Sequence, residues 1–241
     1  MLYIIGLGLN KDGISKFGLK AVSKCKRVYL EKYTVDFPYN LQELKEVIGK
    51  KVVEADREFV EGLSIVDEAE KMNVALLVYG SPLTATTHIS LIQEAKRLGV
   101  RYKVIYSASI LDAVAETGLQ LYKFGKVASM PKWDGSRGFA PDSFMKLVQE
   151  NMSMKAHSLI LADIGLEFED AIKQLEESAK NYKINLKKIV VCSRLGVKGR
   201  KIIYGDIEGL KDSKIKSPYC IIIPSKLHFI EKEVLEEFVR E

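Results

Sequence analysis

The run Val74-Ala-Leu-Leu-Val-Tyr79 is apolar at every position and stops abruptly at Gly80-Ser-Pro82. A half-exposed strand alternates apolar and polar residues, so an unbroken run of this length implies a strand covered on both faces. Its surroundings supply the cover. Leu2-Tyr-Ile-Ile5 ends in Gly6-Leu-Gly-Leu9 and is followed by a helical pattern over residues 14–25. A short apolar run over 27–30 precedes helical patterns over 41–48 and 64–71. After Pro82 a helix is expected to about Leu98, with Gly99 as its stop, and the run at 102–106 feeds a further helix over 109–116 closed by Gly118. Such β-loop-α repetition predicts an α/β fold with a mainly parallel sheet. In such sheets ligands gather at the carboxyl ends of the strands. The turns at Gly6, Gly80 and Ser107 are therefore the places to look.

The second half is patterned differently. Residues 118–124 read as a connector, and 132–139 as a polar loop holding the single tryptophan, Trp133. Helices are expected over 141–154 and 168–180, with Pro141 in a first helical turn. Strands are expected over 158–161, 188–192 and 220–223, and an amphipathic helix over 229–240 closes the chain. A soft boundary near 112–120 divides an N-terminal α/β domain, 1–115, from a C-terminal one, 116–241.

Composition narrows the class of function. The 37 basic and 32 acidic residues leave a net charge of +5, spread along the chain apart from Lys24-Cys-Lys-Arg27 and Lys198-Gly-Arg-Lys201. That pattern fits a solvated face better than a nucleic-acid surface. Cys25, Cys192 and Cys220 are odd in number and form no C-x-x-C pair, so they read as small core residues. Neither a signal peptide nor an apolar run long enough for a membrane span is visible. The chain reads as cytoplasmic.

Three segments carry candidate chemistry. Gly6-Leu-Gly-Leu-Asn-Lys11 resembles the start of a dinucleotide-binding G-x-G-x-x-G, but Lys11 takes the third glycine position and the acidic Glu31 comes late for a ribose contact. A glycine turn at some other ligand, or a plain strand exit, fits as well. Gly80-Ser-Pro-Leu-Thr-Ala-Thr-Thr-His88 offers hydroxyls and backbone N–H groups to a ligand's oxygens. Helix capping by Ser81 or Thr84 accounts for the same residues equally. Glu31-Lys-Tyr-Thr34 follows a strand and either lines a cleft or ends an ordinary strand. The three histidines, His88, His157 and His228, stand in no metal-binding spacing, and no nucleophile elbow or P-loop is present.

The ordered series Gly6–Leu9, Glu31–Thr34, Gly80–His88, Ser109-Ile110, Gly118-Leu-Gln-Leu-Tyr-Lys-Phe-Gly125, His157-Ser-Leu with Asp163-Ile164, and Pro224-Ser-Lys-Leu-His-Phe229 resembles the diphthine synthases, within the tetrapyrrole methylase-like methyltransferases. The resemblance spans nearly the whole chain, and A-T-T-H and L-H-F are its most specific parts. It implies two α/β domains, with mainly parallel and mixed sheets, and a cofactor cleft between them. It also implies a homodimer and S-adenosylmethionine as methyl donor, with S-adenosylhomocysteine as product. The implied acceptor is the amine of an aminocarboxypropyl-modified histidine on translation elongation factor 2, whose methylation gives diphthine. Nucleic acid and membrane are not expected partners.

By that resemblance the cofactor contacts fall on Leu9, Ser81, Thr84, Ser109, Ile110, Ala162, Leu195 and Tyr219, and no general base is identified. Tyr33, Tyr122 and Phe124 are candidates for an aromatic cage around a methylated ammonium. Ser81 departs from the usual Asp, Ala162 replaces a larger apolar residue, and 165–186 is shorter than in the family. A tetrapyrrole or RNA methyltransferase, or a cofactor-binding module without catalysis, is the alternative reading.

Overall fold

The structure, a computed structural model, describes residues 1–239. The chain divides into two compact units, Met1–Ile110 and Leu111–Glu241.

The first unit holds β1 (Leu2–Gly6), α1 (Lys16–Ser23), β2 (Arg27–Glu31), α2 (Leu41–Ile48), β3 (Val53–Ala55), α3 (Arg57–Glu61), α4 (Ser64–Lys71), β4 (Val74–Val78), α5 (Ile89–Arg97) and β5 (Tyr102–Ile105). Its five strands run in the order β3-β2-β4-β1-β5, and every neighbouring pair is parallel. Alternate residues serve opposite faces. Leu2, Ile4, Val74, Leu76 and Val78 pack with Ile65 of α4 and Leu91 of α5. Tyr3, Ile5, Ala75 and Leu77 pack with Val22 of α1 and Leu44 of α2. Every residue of β4 is buried, as its unbroken apolar run requires.

The strand order also fixes where a ligand crevice opens. From β1 the chain passes through α1 to β2, whereas from the adjacent β4 it passes through α5 to β5 on the other side. The connections part at the carboxyl ends of these neighbours, which is a topological switch point. A dinucleotide-binding fold of the Rossmann order would pair β1 with β2; here β4 lies between them.

The second unit follows α6 (Ile110–Ala113), which crosses the division, and holds β6 (Ala128–Met130), α7 (Ser143–Ser153), β7 (Ser158–Ala162), α8 (Phe168–Asn181), β8 (Lys188–Ser193), β9 (Lys201–Asp206), α9 (Ile207–Leu210), β10 (Tyr219–Ile223) and α10 (Phe229–Glu236). Its sheet is mixed, in the order β6-β7-β10-β8-β9, with β6 and β7 parallel and the other pairs antiparallel. Phe144 and Val148 of α7 and Ile172 and Leu175 of α8 pack on Ile160, Val191 and Ile221. Cys25, Cys192 and Cys220 are buried free thiols.

Four expectations need correcting. Helix α7 begins at Ser143 with Asp142 as its N-cap, so Pro141 lies before the helix and not in its first turn. The helix expected directly after Pro82 begins only at Ile89, because Leu83 (φ 66°) and Ala85 (φ 54°) adopt the left-handed region, which no helix tolerates. Of the helix expected over 109–116, only Ile110–Ala113 is α-helical, and a 3₁₀ turn over Val114–Thr117 completes it. The last helix ends at Glu236 rather than running on, and Arg240, in the expected span, lies outside the described residues.

Candidate functional site

Three strand-end turns of the first unit meet at the switch point. Gly8 and Gly80 exchange backbone hydrogen bonds, Gly8 N–H to Gly80 O at 3.0 Å and Gly80 N–H to Gly8 O at 2.9 Å. This antiparallel bridge ties the turn after β1 to the turn after β4. The turn after β5 joins through Ser107, whose hydroxyl donates to the Gly13 carbonyl at 3.0 Å and whose N–H donates to Ser81 Oγ at 3.4 Å. Such closeness excludes side chains: a Cβ on Gly6 would stand 2.7 Å from Gly80 O and 2.8 Å from Pro82 Cδ. Gly80 sits at φ +74°, in the left-handed region, and a Cβ there would be in ordinary contact, 3.9 Å from Ala108 O and Ser109 Cα. The floor is thus backbone and small hydroxyl side chains, which suits a polar ligand lying flat across it.

Five of the expected cofactor contacts lie in these turns. Leu9 is buried and its carbonyl accepts from the Tyr79 hydroxyl at 3.3 Å. Ser81 and Ser109 are buried, Thr84 and Ile110 half-buried. The capping reading of Ser81 and Thr84 fails, since α5 starts at Ile89 and its N-cap is His88. Ser81 instead links two strand ends.

The far end of the same loop is different in kind. Thr87 Oγ1 donates to Glu61 of α3 at 3.0 Å, and Arg57 Nη1 stands 3.6 Å from the same carboxylate. The Arg57 guanidinium also lies 5.1 Å above the Tyr33 ring centroid. Beside these exposed charges, Thr86 Oγ1, both ring nitrogens of His88 and the Tyr33 hydroxyl are buried without a hydrogen-bond partner. Burial pushes the His88 ring below its ordinary pKa, against the pull of Glu61. Glu31 is buried at the end of β2, where Tyr33 N–H, Thr34 N–H and Thr34 Oγ1 all donate to it. Burial raises its carboxyl pKa in spite of those bonds. The Glu31-Lys-Tyr-Thr34 segment is therefore a closed carboxylate turn. Arg57 and Glu61 carry no motif, and the sequence did not single them out.

The remaining three expected contacts are in the second unit. Ala162 ends β7, Tyr219 begins β10, and Leu195 follows β8 by two residues. Because β10 runs antiparallel to both neighbours, its start lies beside their ends, so the three share one end of the sheet. Leu195 and Tyr219 are buried, and the Tyr219 hydroxyl donates to the Leu166 carbonyl at 3.0 Å.

The other distinctive segments of the second unit bind one another. Glu231, fully buried, accepts from Gln120 N–H at 3.0 Å, His228 N–H at 2.7 Å, His157 Nε2 at 3.1 Å and Lys123 Nζ. Ser225 N–H donates to His157 Nδ1 at 3.0 Å, so Nε2 carries the ring proton and donates to the carboxylate. Lys123 Nζ reaches the Lys226 carbonyl at 2.9 Å. Burial alone would raise the Glu231 carboxyl, but the four donors outweigh it and hold its pKa down at about 2. Thus Gly118–Gly125, His157 and Pro224–Phe229 form a structural clamp around one carboxylate. Phe124 packs edge-on against His157 in the same clamp, and the Tyr33 ring face already carries Arg57, so neither is free to cage an ammonium. Tyr122 is 83% exposed. Among the described residues no group of three or more His, Cys, Asp or Glu is placed to hold a metal ion, and no helix is long and apolar enough to cross a membrane.

Residues 1–211 match the family described as Tetrapyrrole (Corrin/Porphyrin) Methylases. A diphthine methyl ester synthase of Homo sapiens is 36% identical over 273 aligned positions, covering 99% of this chain and 95% of its own. A diphthine synthase of Methanocaldococcus jannaschii is 35% identical, covering 98% of each chain. A crystal structure of diphthine synthase superimposes with a TM-score of 0.89 at 33% identity, covering 99% of this chain and 95% of that one.

Proposed function

We propose, for a chain that belongs to the tetrapyrrole (corrin/porphyrin) methylase family, the reaction of a diphthine synthase: methyl transfer to the amine of an aminocarboxypropyl-modified histidine of translation elongation factor 2. The observation that carries this reading is the agreement with diphthine synthases along the whole chain, joined to three strand-end turns that converge at the sheet's switch point. The methyl donor is S-adenosylmethionine, and the protein works as a cytoplasmic homodimer.

The residues present fit the donor. Its ribose hydroxyls and its amino and carboxylate groups call for small hydroxyls and backbone N–H groups. The backbone crowding around Gly6 and the hydroxyls of Ser81 and Ser107 leave a floor of that character. Leu9, Ser81, Thr84, Ser109 and Ile110 of the first unit and Ala162, Leu195 and Tyr219 of the second are the proposed contacts. When bound, the donor supplies an electrophilic methyl carbon on a sulfonium. The protein's part is to hold the acceptor nitrogen in line with that carbon, to exclude water and to leave the nitrogen uncharged; alignment alone lowers such barriers by several kcal/mol.

The relatives' names separate two acceptor atoms. An ester arises at a carboxylate oxygen, as the human relative's name states, whereas the archaeal relative is named for diphthine alone. Mass spectrometry of elongation factor 2 carrying the unmethylated precursor, after incubation with this protein and S-adenosylmethionine, tests the reading. Successive methyl additions ending at a quaternary nitrogen support it. One further methyl that is lost in mild alkali identifies an ester as well. No gain in mass refutes it.

A further inference from the structure

We propose that His88, Thr86 and Tyr33 form the acceptor subsite, binding an amino-acid-like arm that carries both an ammonium and a carboxylate; the proposal rests on the methyltransferase reading above. The carboxyl edge of the first sheet divides in two. At β4-β1-β5 stand the glycine and serine turns, and at β3-β2-β4 stand the chemistry-bearing side chains, with the loop 80–88 spanning both. In the second half, four polar atoms are buried without a partner: Tyr33 Oη, Thr86 Oγ1, and Nδ1 and Nε2 of His88, whose residue is 1% exposed. Folded proteins pair nearly all such atoms, and the exceptions concentrate where a ligand completes them.

The groups around them select the ligand. Glu61, anchored to the loop by Thr87, offers a negative charge to an ammonium, and Arg57, over the Tyr33 ring, offers a positive charge to a carboxylate. The Tyr33 and Thr86 hydroxyls donate to the carboxylate. Neutral His88 has one nitrogen lone pair to receive a proton. The ammonium N–H bond breaks, its proton passes to the imidazole, and the electron pair stays on nitrogen as the lone pair that takes the methyl carbon. The imidazolium returns the proton to solvent when the arm leaves. The charged groups facing His88 and Tyr33 are Glu61 and Arg57 of α3 and Glu31 of β2.

Thr86→Val and Tyr33→Phe test this with little change of shape. Removing a buried hydroxyl that no protein group satisfies leaves the melting temperature equal or higher, while turnover of the elongation factor precursor falls tenfold or more. His88→Gln keeps a donor and acceptor but cannot carry the proton. Its turnover falls about a hundredfold and loses its rise with pH below neutrality, while S-adenosylmethionine binding by calorimetry stays within threefold of wild type. Turnover within threefold of wild type in all three variants overturns the proposal, as does a lower melting temperature with unaltered turnover. A wild-type protein that binds S-adenosylmethionine yet leaves the precursor unmethylated refutes the functional reading itself. Equilibrium binding of the precursor protein then decides the subsite: equal affinity for wild type and Thr86→Val overturns it, and weaker binding to the variant supports it.

Discussion

Gly6 and Gly80 approach so closely that a Cβ added to Gly6 would lie 2.7 Å from the Gly80 carbonyl oxygen. The contact is backbone on backbone, so it cannot be relieved by rotating a side chain. Gly6→Ala therefore forces the turns after β1 and β4 apart, at about 1–3 kcal/mol by the usual cost of overpacking. The neighbouring bridge between Gly8 and Gly80 is strained by the same displacement. The expected outcome is a lower melting temperature together with at least tenfold weaker S-adenosylmethionine binding by calorimetry. A variant that melts lower yet binds normally would place the cofactor elsewhere.

Ser81 answers a different question. Its hydroxyl accepts a long 3.4 Å hydrogen bond from Ser107 N–H, at the junction of the turns after β4 and β5. A carboxylate there keeps the acceptor for Ser107 and adds a charged one for a ligand hydroxyl or amine. Charge-assisted hydrogen bonds exceed neutral ones by about 1 kcal/mol, so Ser81→Asp tightens S-adenosylmethionine binding about fivefold. Calorimetry that finds equal or weaker affinity counts against the placement of the cofactor on this turn.

Much of this arrangement is legible in the sequence, for reasons that particular residues show. The buried strand at Val74–Val78 announces itself because both faces are covered and no polar residue interrupts it. The strands Val53–Ala55 and Ala128–Met130 are hidden, since three residues cannot establish a period. At Lys201–Asp206 the edge strand is only partly buried and its lysine, glycine and aspartate obscure the pattern. The delayed start of α5 is invisible for another reason: Leu83 and Ala85 are good helix formers by propensity, yet both stand at positive φ. The site divides the same way. Glycine turns at strand ends are local signals, but the burial of the Thr86 hydroxyl and of the His88 ring is a property of the folded chain that no local pattern carries. The L-H-F segment shows the limit of motif reading, because its specificity belongs to a clamp around Glu231 rather than to a ligand.

That clamp makes a stability prediction. Glu231→Gln keeps the size of the side chain but leaves Lys123 without its ion-pair partner and weakens every bond the carboxylate accepts. Breaking one side of a buried ionic network costs about 3–5 kcal/mol. Urea unfolding at neutral pH should show that loss. A change below about 0.5 kcal/mol, the usual range for exposed substitutions, would mean that the network does not hold the three segments together.

The same carboxylate sets how stability responds to acid. In the unfolded chain Glu231 titrates near its ordinary 4.5, while in the folded protein its donors hold it at about 2. Between those values the unfolded chain binds a proton that the folded one does not, so stability is complete above 4.5 and is lost as pH falls toward 2. The loss across the window is about 3 kcal/mol for this one fully buried group. His157 and His88 act in the same direction at higher pH: burial lowers both, and the unfolded chain protonates them below 6.5 first. Urea midpoints measured in steps from pH 8 to pH 3 should therefore fall in two stages, a first below about 6.5 and a second below about 4.5. Glu231→Gln removes its own contribution to the second stage, so its curve starts lower and approaches the wild-type curve below about 4.5, while its first stage is no smaller, because the lost carboxylate had held the His157 pKa up. Parallel curves for the two proteins would show that Glu231 is not held ionised by the clamp.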